Sequence, residues 1–228
     1  MRRSVSVLFV FLAVLGMGLP LAAQRPQPPP FPLPFTSPPP SLWDQLMSGN
    51  TPYRGGALSY THIIEARRRT VPDQNPPVTV LSCSDSRVPP ELIFGRTVGD
   101  LFVVRVAGNV ASTFDIASIE YAISKGWTKM IVVLGHEDCG AVVEALKTTD
   151  PPTPSLVELV QRIRESFIGL PAWTGPDRVE RAVKANARGS AAYLLAHSTV
   201  IRKAVLGGDV KLVVAYYKLV SGQVEVVP

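Results

Sequence analysis

Short apolar runs that alternate with amphipathic helical stretches constrain this chain more than anything else in it. Val78–Ser82, Leu101–Arg105, Met130–Leu134 and Val210–Tyr217 are dominated by β-branched and aliphatic residues and are bounded by turn formers, so they read as strands. Between them, Ile116, Ile119, Ala122 and Ile123 recur at helical spacing, which predicts a helix over Phe114–Ser124 with one buried face. Further helices are predicted at Leu42–Met47, Leu58–Arg68, Ser155–Ile168, Asp177–Ala196 and Ile201–Leu206. A short turn opens at Pro89-Pro90, and a segment after Cys139 carries Val142, Val143, Ala145 and Leu146. Near-continuous apolar strands separated by helices imply an α/β fold, a mostly parallel central sheet flanked by helices on both faces. Ser221-Gly222 turns the last strand back into Gln223–Val227, which adds an antiparallel C-terminal edge hairpin.

The first residues do not belong to that fold. Arg2 and Arg3 precede an apolar stretch, Val5 to Leu21, broken only by Ser6, and Ala22-Ala23 supplies a small-residue cleavage zone. Residues 1–23 therefore read as a signal peptide, and the chain as exported to the periplasm or the medium, with no stable membrane insertion after cleavage. A retained anchor is the alternative for that stretch. Residues 24–41, with Pro28-Pro29-Pro30 and Pro38-Pro39-Pro40, read as an extended proline-rich tether. Residues 42–228 then form a single domain with room for a sizeable core. The formal charge of +5 loses two units when Arg2 and Arg3 leave with the signal, and so mild an excess gives no argument for nucleic acid.

The chain has two cysteines, and each follows a predicted strand. Cys83 lies in Cys83-Ser84-Asp85-Ser86-Arg87, and Cys139 in His136-Glu137-Asp138-Cys139-Gly140. In an exported chain two cysteines ordinarily suggest a disulfide. Their neighbours point elsewhere: two thiolates and an imidazole at the carboxyl ends of strands make a three-point set suited to Zn2+, with a fourth position left for water or for Asp85. Ligands of open α/β sheets bind at that edge. Asp85 and Arg87 are either a loop ion pair or a switchable dyad in which Arg87 holds the carboxylate by paired hydrogen bonds or releases it to close the site. His62 and His197 lack ligand-spaced neighbours; Glu137 and Asp138 suit the start of a helix, and Arg105 and Asn109 suit loop fixation. No Gly-x-Gly-x-x-Gly or Gly-x-Ser-x-Gly follows a strand, which argues against a dinucleotide cofactor and a serine hydrolase.

At these residues the chain resembles the β-class carbonic anhydrases. Cys83-Ser84-Asp85-Ser86-Arg87-Val88-Pro89 is similar to that family's first zinc motif, and Leu134 to Val142 to its second. Leu101–Arg105, Ala107-Gly108-Asn109 and Ser118–Ala122 are similar to the stretch between. The resemblance implies Zn2+ held by Cys83, His136 and Cys139, an Asp85–Arg87 dyad, and Asp85 as a fourth ligand only in a closed state. It implies reversible hydration of carbon dioxide to bicarbonate and a proton, in a homodimer or homotetramer. Gln74 stands where the family often has a substrate donor reaching across a dimer interface, and Phe102 where an aromatic wall lines the substrate pocket. Two departures stand out: Val106 where an asparagine is usual, and Val80 where members with a second, inhibitory bicarbonate pocket carry tryptophan. Two alternatives accompany this expectation: hydrolysis of carbon disulfide or carbonyl sulfide on the same site, and an exported disulfide-linked binding module without metal.

Overall fold

A computed structural model describes residues 41–59, 62–170 and 174–228. The expected signal peptide, and the tether up to residue 40, lie outside the described residues. The sheet has five strands in the order β2-β1-β3-β4-β5. Strands β1 (Val78–Ser82), β2 (Leu101–Arg105), β3 (Met130–His136) and β4 (Lys211–Tyr217) run parallel, and β5 (Val224–Val226) pairs antiparallel with β4. The expected class is therefore the observed one. Every residue of β1 and of β3 is buried, as strands covered on both faces must be.

Alternation along those strands sends side chains to two faces. Val80, Val132 and Leu134 meet Leu46, Ile93 and Phe94 from α1 (Leu42–Arg54) and α3 (Pro90–Ile93) with its C-cap. Leu81, Ile131 and Val133 meet Ile116 and Ile119 of α4 (Thr113–Ser124), Ala187 and Leu194 of α7 (Arg178–His197), and Ile201 of α8 (Thr199–Leu206). Burying each large aliphatic side chain of this kind is worth about 1.5–3 kcal/mol. A third cluster sits beyond the carboxyl ends of the strands. There Val142 of α5 (Gly140–Ala145) and Val160 and Ile163 of α6 (Pro154–Glu165) pack around Cys83 and Cys139.

Helix α1 runs to Arg54, well past the Met47 expected from its apolar pattern. It starts on a capping box in which Ser41, the last residue of the expected tether, pairs with Asp44. Its second half is held by partners far along the chain. The buried Asn50 side chain donates to the carbonyls of Ile93 (2.9 Å) and Gly222 (2.8 Å). The Tyr53 and Tyr217 hydroxyls lie 2.7 Å apart. Those contacts outweigh Pro52 inside the helix. Helix α2 covers Ile63–Arg69. Among the described residues no helix is long and apolar enough to cross a membrane.

Candidate metal centre

His136 is the last residue of β3 and is fully buried; it pairs in register with Tyr217 of β4. Its Nδ1 lies 2.8 Å from the Glu137 carbonyl oxygen, a contact that assigns the proton to Nδ1 and leaves the Nε2 lone pair free. Nε2 is buried and meets no hydrogen-bonding group of the protein. Burying a polar nitrogen without a partner is costly, so this atom calls for one. Cys83 and Cys139 supply the remaining donors. Their sulfurs lie 4.0 Å apart, and the three donor atoms all fall within 4.8 Å of one another. Two sulfurs bound at about 2.3 Å to a tetrahedral zinc would be about 3.8 Å apart, so the residues fit the ion. Among the described residues this is the only such group.

The loop after β1 is held in place from several sides. The Cys83 sulfur accepts from the backbone N–H groups of Gly108 (3.3 Å) and Asp85 (3.4 Å). Gly108 has φ +67°, and a side chain there would meet Ile163 and Ala141, so glycine allows the N–H to approach the sulfur. The Gly108 carbonyl in turn accepts from the Asn186 side chain at 2.6 Å. Arg105 donates through Nε to the Cys83 carbonyl (3.1 Å) and through Nη2 to the Asp85 carbonyl (2.7 Å). This is the loop-fixing part expected of it. Asn109 is fully buried at φ +46°, within the same turn.

Electrostatics follow from these contacts. The contact with the Cys139 thiol first, then the nearby His136 imidazole and the two N–H groups, draw the Cys83 thiol down against the cost of burial. The same contact, with burial, pushes the Cys139 thiol up. Of the two, Cys83 is thus the readier to give up its proton, and a bound dication would favour the thiolate of both. Cys139 caps α5, where its sulfur faces the free amides of Ala141 and Val142. Asp138, just before it, takes the left-handed conformation with φ +50°, and Glu137 accepts from the Val220 N–H at 3.2 Å.

Asp85 and Arg87 are paired. One carboxylate oxygen accepts from the Arg87 backbone N–H and Nε, both at 2.9 Å, and the other from Nη2 at 2.7 Å. Those side-chain bonds hold the Asp85 carboxyl well below the usual carboxylate range, outweighing its partial burial. The oxygen facing Nη2 is also 3.9 Å from His136 Nε2. The carboxylate therefore stands between the guanidinium and the metal-facing nitrogen.

Gln74 and Phe102 are not brought to this centre within one chain. Gln74 is exposed in the loop that enters β1 at its amino end, and Cys83 follows the carboxyl end of the same strand. Five strand residues at about 3.3 Å each separate the two. Phe102 is half-buried near the start of the edge strand β2, its ring 6.4 Å from that of Trp127. His62 lies exposed beside Glu65, and His197 stacks on Tyr193, so neither belongs to the donor set. Asn186 joins the site with little local signal, a lone amide on the buried stripe Ala182, Val183, Ala185 and Ala187 of α7.

Fold and site together define a zinc enzyme built at the carboxyl edge of a parallel α/β sheet. The chain belongs to the carbonic anhydrase family, in its β class: the family model described as carbonic anhydrase matches residues 78–224. It is similar to a carbonic anhydrase of Mycolicibacterium smegmatis, 35% identical over 193 residues that cover 83% of this chain and 93% of that protein. Carbonic anhydrase 2 of Mycobacterium tuberculosis is 33% identical over 189 residues, covering 81% and 91%. Among solved structures, the β-carbonic anhydrase CcaA superposes with a TM-score of 0.65 at 28% identity, over 82% of this chain and 95% of that one. Two tetrameric β-carbonic anhydrases from Sordaria macrospora give 0.62 at 25% identity, over 81% and 96%.

Proposed function

We propose that this chain catalyses the reversible hydration of carbon dioxide to bicarbonate and a proton, with zinc held by Cys83, His136 and Cys139. The observation that carries it is the buried, partnerless His136 Nε2 facing two sulfurs at metal-binding separation. Bound there, zinc supplies the Lewis acidity that makes water a nucleophile near neutral pH. Asp85 stays ionised at that pH because Arg87 holds its carboxyl so low. It therefore serves as a fixed hydrogen-bond acceptor that orients the nucleophile, rather than as a store for the departing proton. Arg87 keeps Asp85 in place, and its own side chain, 54% exposed, carries the dyad out to solvent.

Gln74 and Phe102 complete the site from a second copy, with Gln74 orienting a substrate oxygen and Phe102 walling the pocket. Their distance from Cys83 within one chain supports this, as do the tetrameric relatives, so the assembly is at least a homodimer. The arginines and the apolar run before Ala22-Ala23 support export, with the proline-rich segment as spacer between cleavage site and domain. Stopped-flow hydration of carbon dioxide by the zinc-loaded protein tests the activity, and Cys83→Ser is expected to lose metal and rate together. A zinc-loaded protein no faster than buffer would overturn it.

A further inference from the structure

We propose that Cys83 and Cys139 form a redox switch on metal binding: in the metal-free protein a peroxide closes them into an internal disulfide, and the bridged form no longer takes up zinc. This rests on the two sulfurs being zinc ligands. They are the only cysteines in the chain, and neither has another thiol to pair with. At 4.0 Å they are too far apart to be bonded, yet each need move by only about 1 Å to reach the 2.05 Å of a disulfide. Neither is locked into a strand ladder. Cys83 lies in the loop beyond β1, and Cys139 lies in the turn before α5, whereas His136 is fixed within the β3 ladder.

Burial selects the reaction. Cys83 is 5% exposed and Cys139 not at all, so a second protein's thiol cannot reach them, while hydrogen peroxide is nearly as small as the water the site must admit. Cys83 is the attacking atom, because the Gly108 and Asp85 N–H groups stabilise negative charge on it. Its thiolate attacks one peroxide oxygen: an S–O bond forms, the O–O bond breaks, and hydroxide leaves with a proton as water. The Cys139 sulfur then attacks the Cys83 sulfur: the S–S bond forms, the S–O bond breaks, and the second oxygen leaves as water with the Cys139 proton. Two thiols and one peroxide give one disulfide and two waters, with both electrons passing from sulfur to oxygen. The bridge occupies two of the three donors, and His136 alone cannot retain the ion. Zinc prevents the first step by engaging the sulfur lone pairs.

The experiment compares zinc-loaded protein with the same protein stripped by a chelator, both treated with hydrogen peroxide, then denatured and alkylated for intact mass. Zinc is measured in the loaded sample before peroxide is added, so failure of the zinc assignment shows separately from failure of the switch. The stripped protein is expected to lose both alkylatable thiols, to become lighter by two hydrogens, and to refuse zinc until a dithiol reductant restores uptake. The loaded protein keeps both thiols over the same exposure. In Cys139→Ser, Cys83 is expected to gain oxygen without any internal bridge; the wild-type masses decide even if that variant fails to fold. Stripped protein that keeps both thiols, or that gains oxygen atoms in place of the bridge, overturns the switch. So does loaded protein that bridges as fast as stripped.

Discussion

Replacing Arg105 by methionine tests how the centre is held together. Its guanidinium makes two hydrogen bonds, to the carbonyls of Cys83 at 3.1 Å and Asp85 at 2.7 Å, so one side chain fixes the backbone of both a ligand and Asp85. Hydrogen bonds to a charged partner are worth about 1.5–3 kcal/mol each. Arg105 is exposed, however, and water reaches the vacated carbonyls, which brings the expected loss for the pair to about 1.5–3 kcal/mol in total. Because those carbonyls position the sulfur, the loss falls mainly on the metal: zinc affinity should weaken about 10–100-fold, as when other outer partners of a metal site are removed. That factor corresponds to about 1.4–2.7 kcal/mol, in step with the hydrogen-bond figure. Competition against a chromophoric chelator measures the affinity, and thermal melts with and without zinc separate it from general stability. Arg105→Lys, with the charge but not the fork, should fall between. A methionine variant with wild-type zinc affinity would refute the reasoning, whatever its melting temperature.

Other expectations follow from the same contacts. Asp85→Asn should retain zinc, since Asp85 is not among the three donors, while hydration slows about 100-fold; an unchanged rate would confine the carboxylate to a structural part. The Glu225 carboxyl is held below its ordinary value by Lys184 first and then by Lys218. Its contribution is therefore full above the ordinary glutamate pKa of about 4.3 and is lost as pH falls through the lower folded value. The melting-temperature gap between wild type and Glu225→Gln should thus hold steady from neutral pH down and close only in acid. A gap that instead closes above about pH 6 contradicts the assignment. At Gly49 a side chain would collide with the Phe94 carbonyl, and backbone cannot give way as a flexible side chain can. Gly49→Ala should cost about 1–3 kcal/mol, or about 2–12 °C in Tm, measured by calorimetry.

What could be read from the sequence was whatever depends on neighbours in the chain. Val78–Ser82, buried along its whole length, and Leu101–Arg105, a half-buried edge strand, both fall where their apolar patterns place them, because packing against the core writes itself into the residue types. Strand β3 runs two residues beyond the apolar run. Gly135 and His136 belong to it through pairing with Tyr216 and Tyr217, partners 81 positions away that no local pattern announces. The metal ligand is accordingly a strand residue and not a loop residue. For the same reason α1 outran its expected end: Asn50 looks like a helix breaker until Ile93 and Gly222 take its amide. The donor set was legible because metal chemistry restricts which side chains serve. Asn186 was not, since its value lies wholly in the Gly108 carbonyl it meets.

The lateral pairing of β1 with β3 sets Ser82 against Leu134, and with them the origins of Cys83 and His136. Until those two ribbons dock, the three donors are scattered along a stretch of more than fifty residues and offer an ion nothing to prefer. Unlike a zinc finger, which collapses around its ion, this protein must build its scaffold first and admit the metal as the last component. Chelation should accordingly empty the centre while leaving far-ultraviolet circular dichroism almost untouched, so that a metal-starved cell would accumulate folded, idle enzyme ready to be charged.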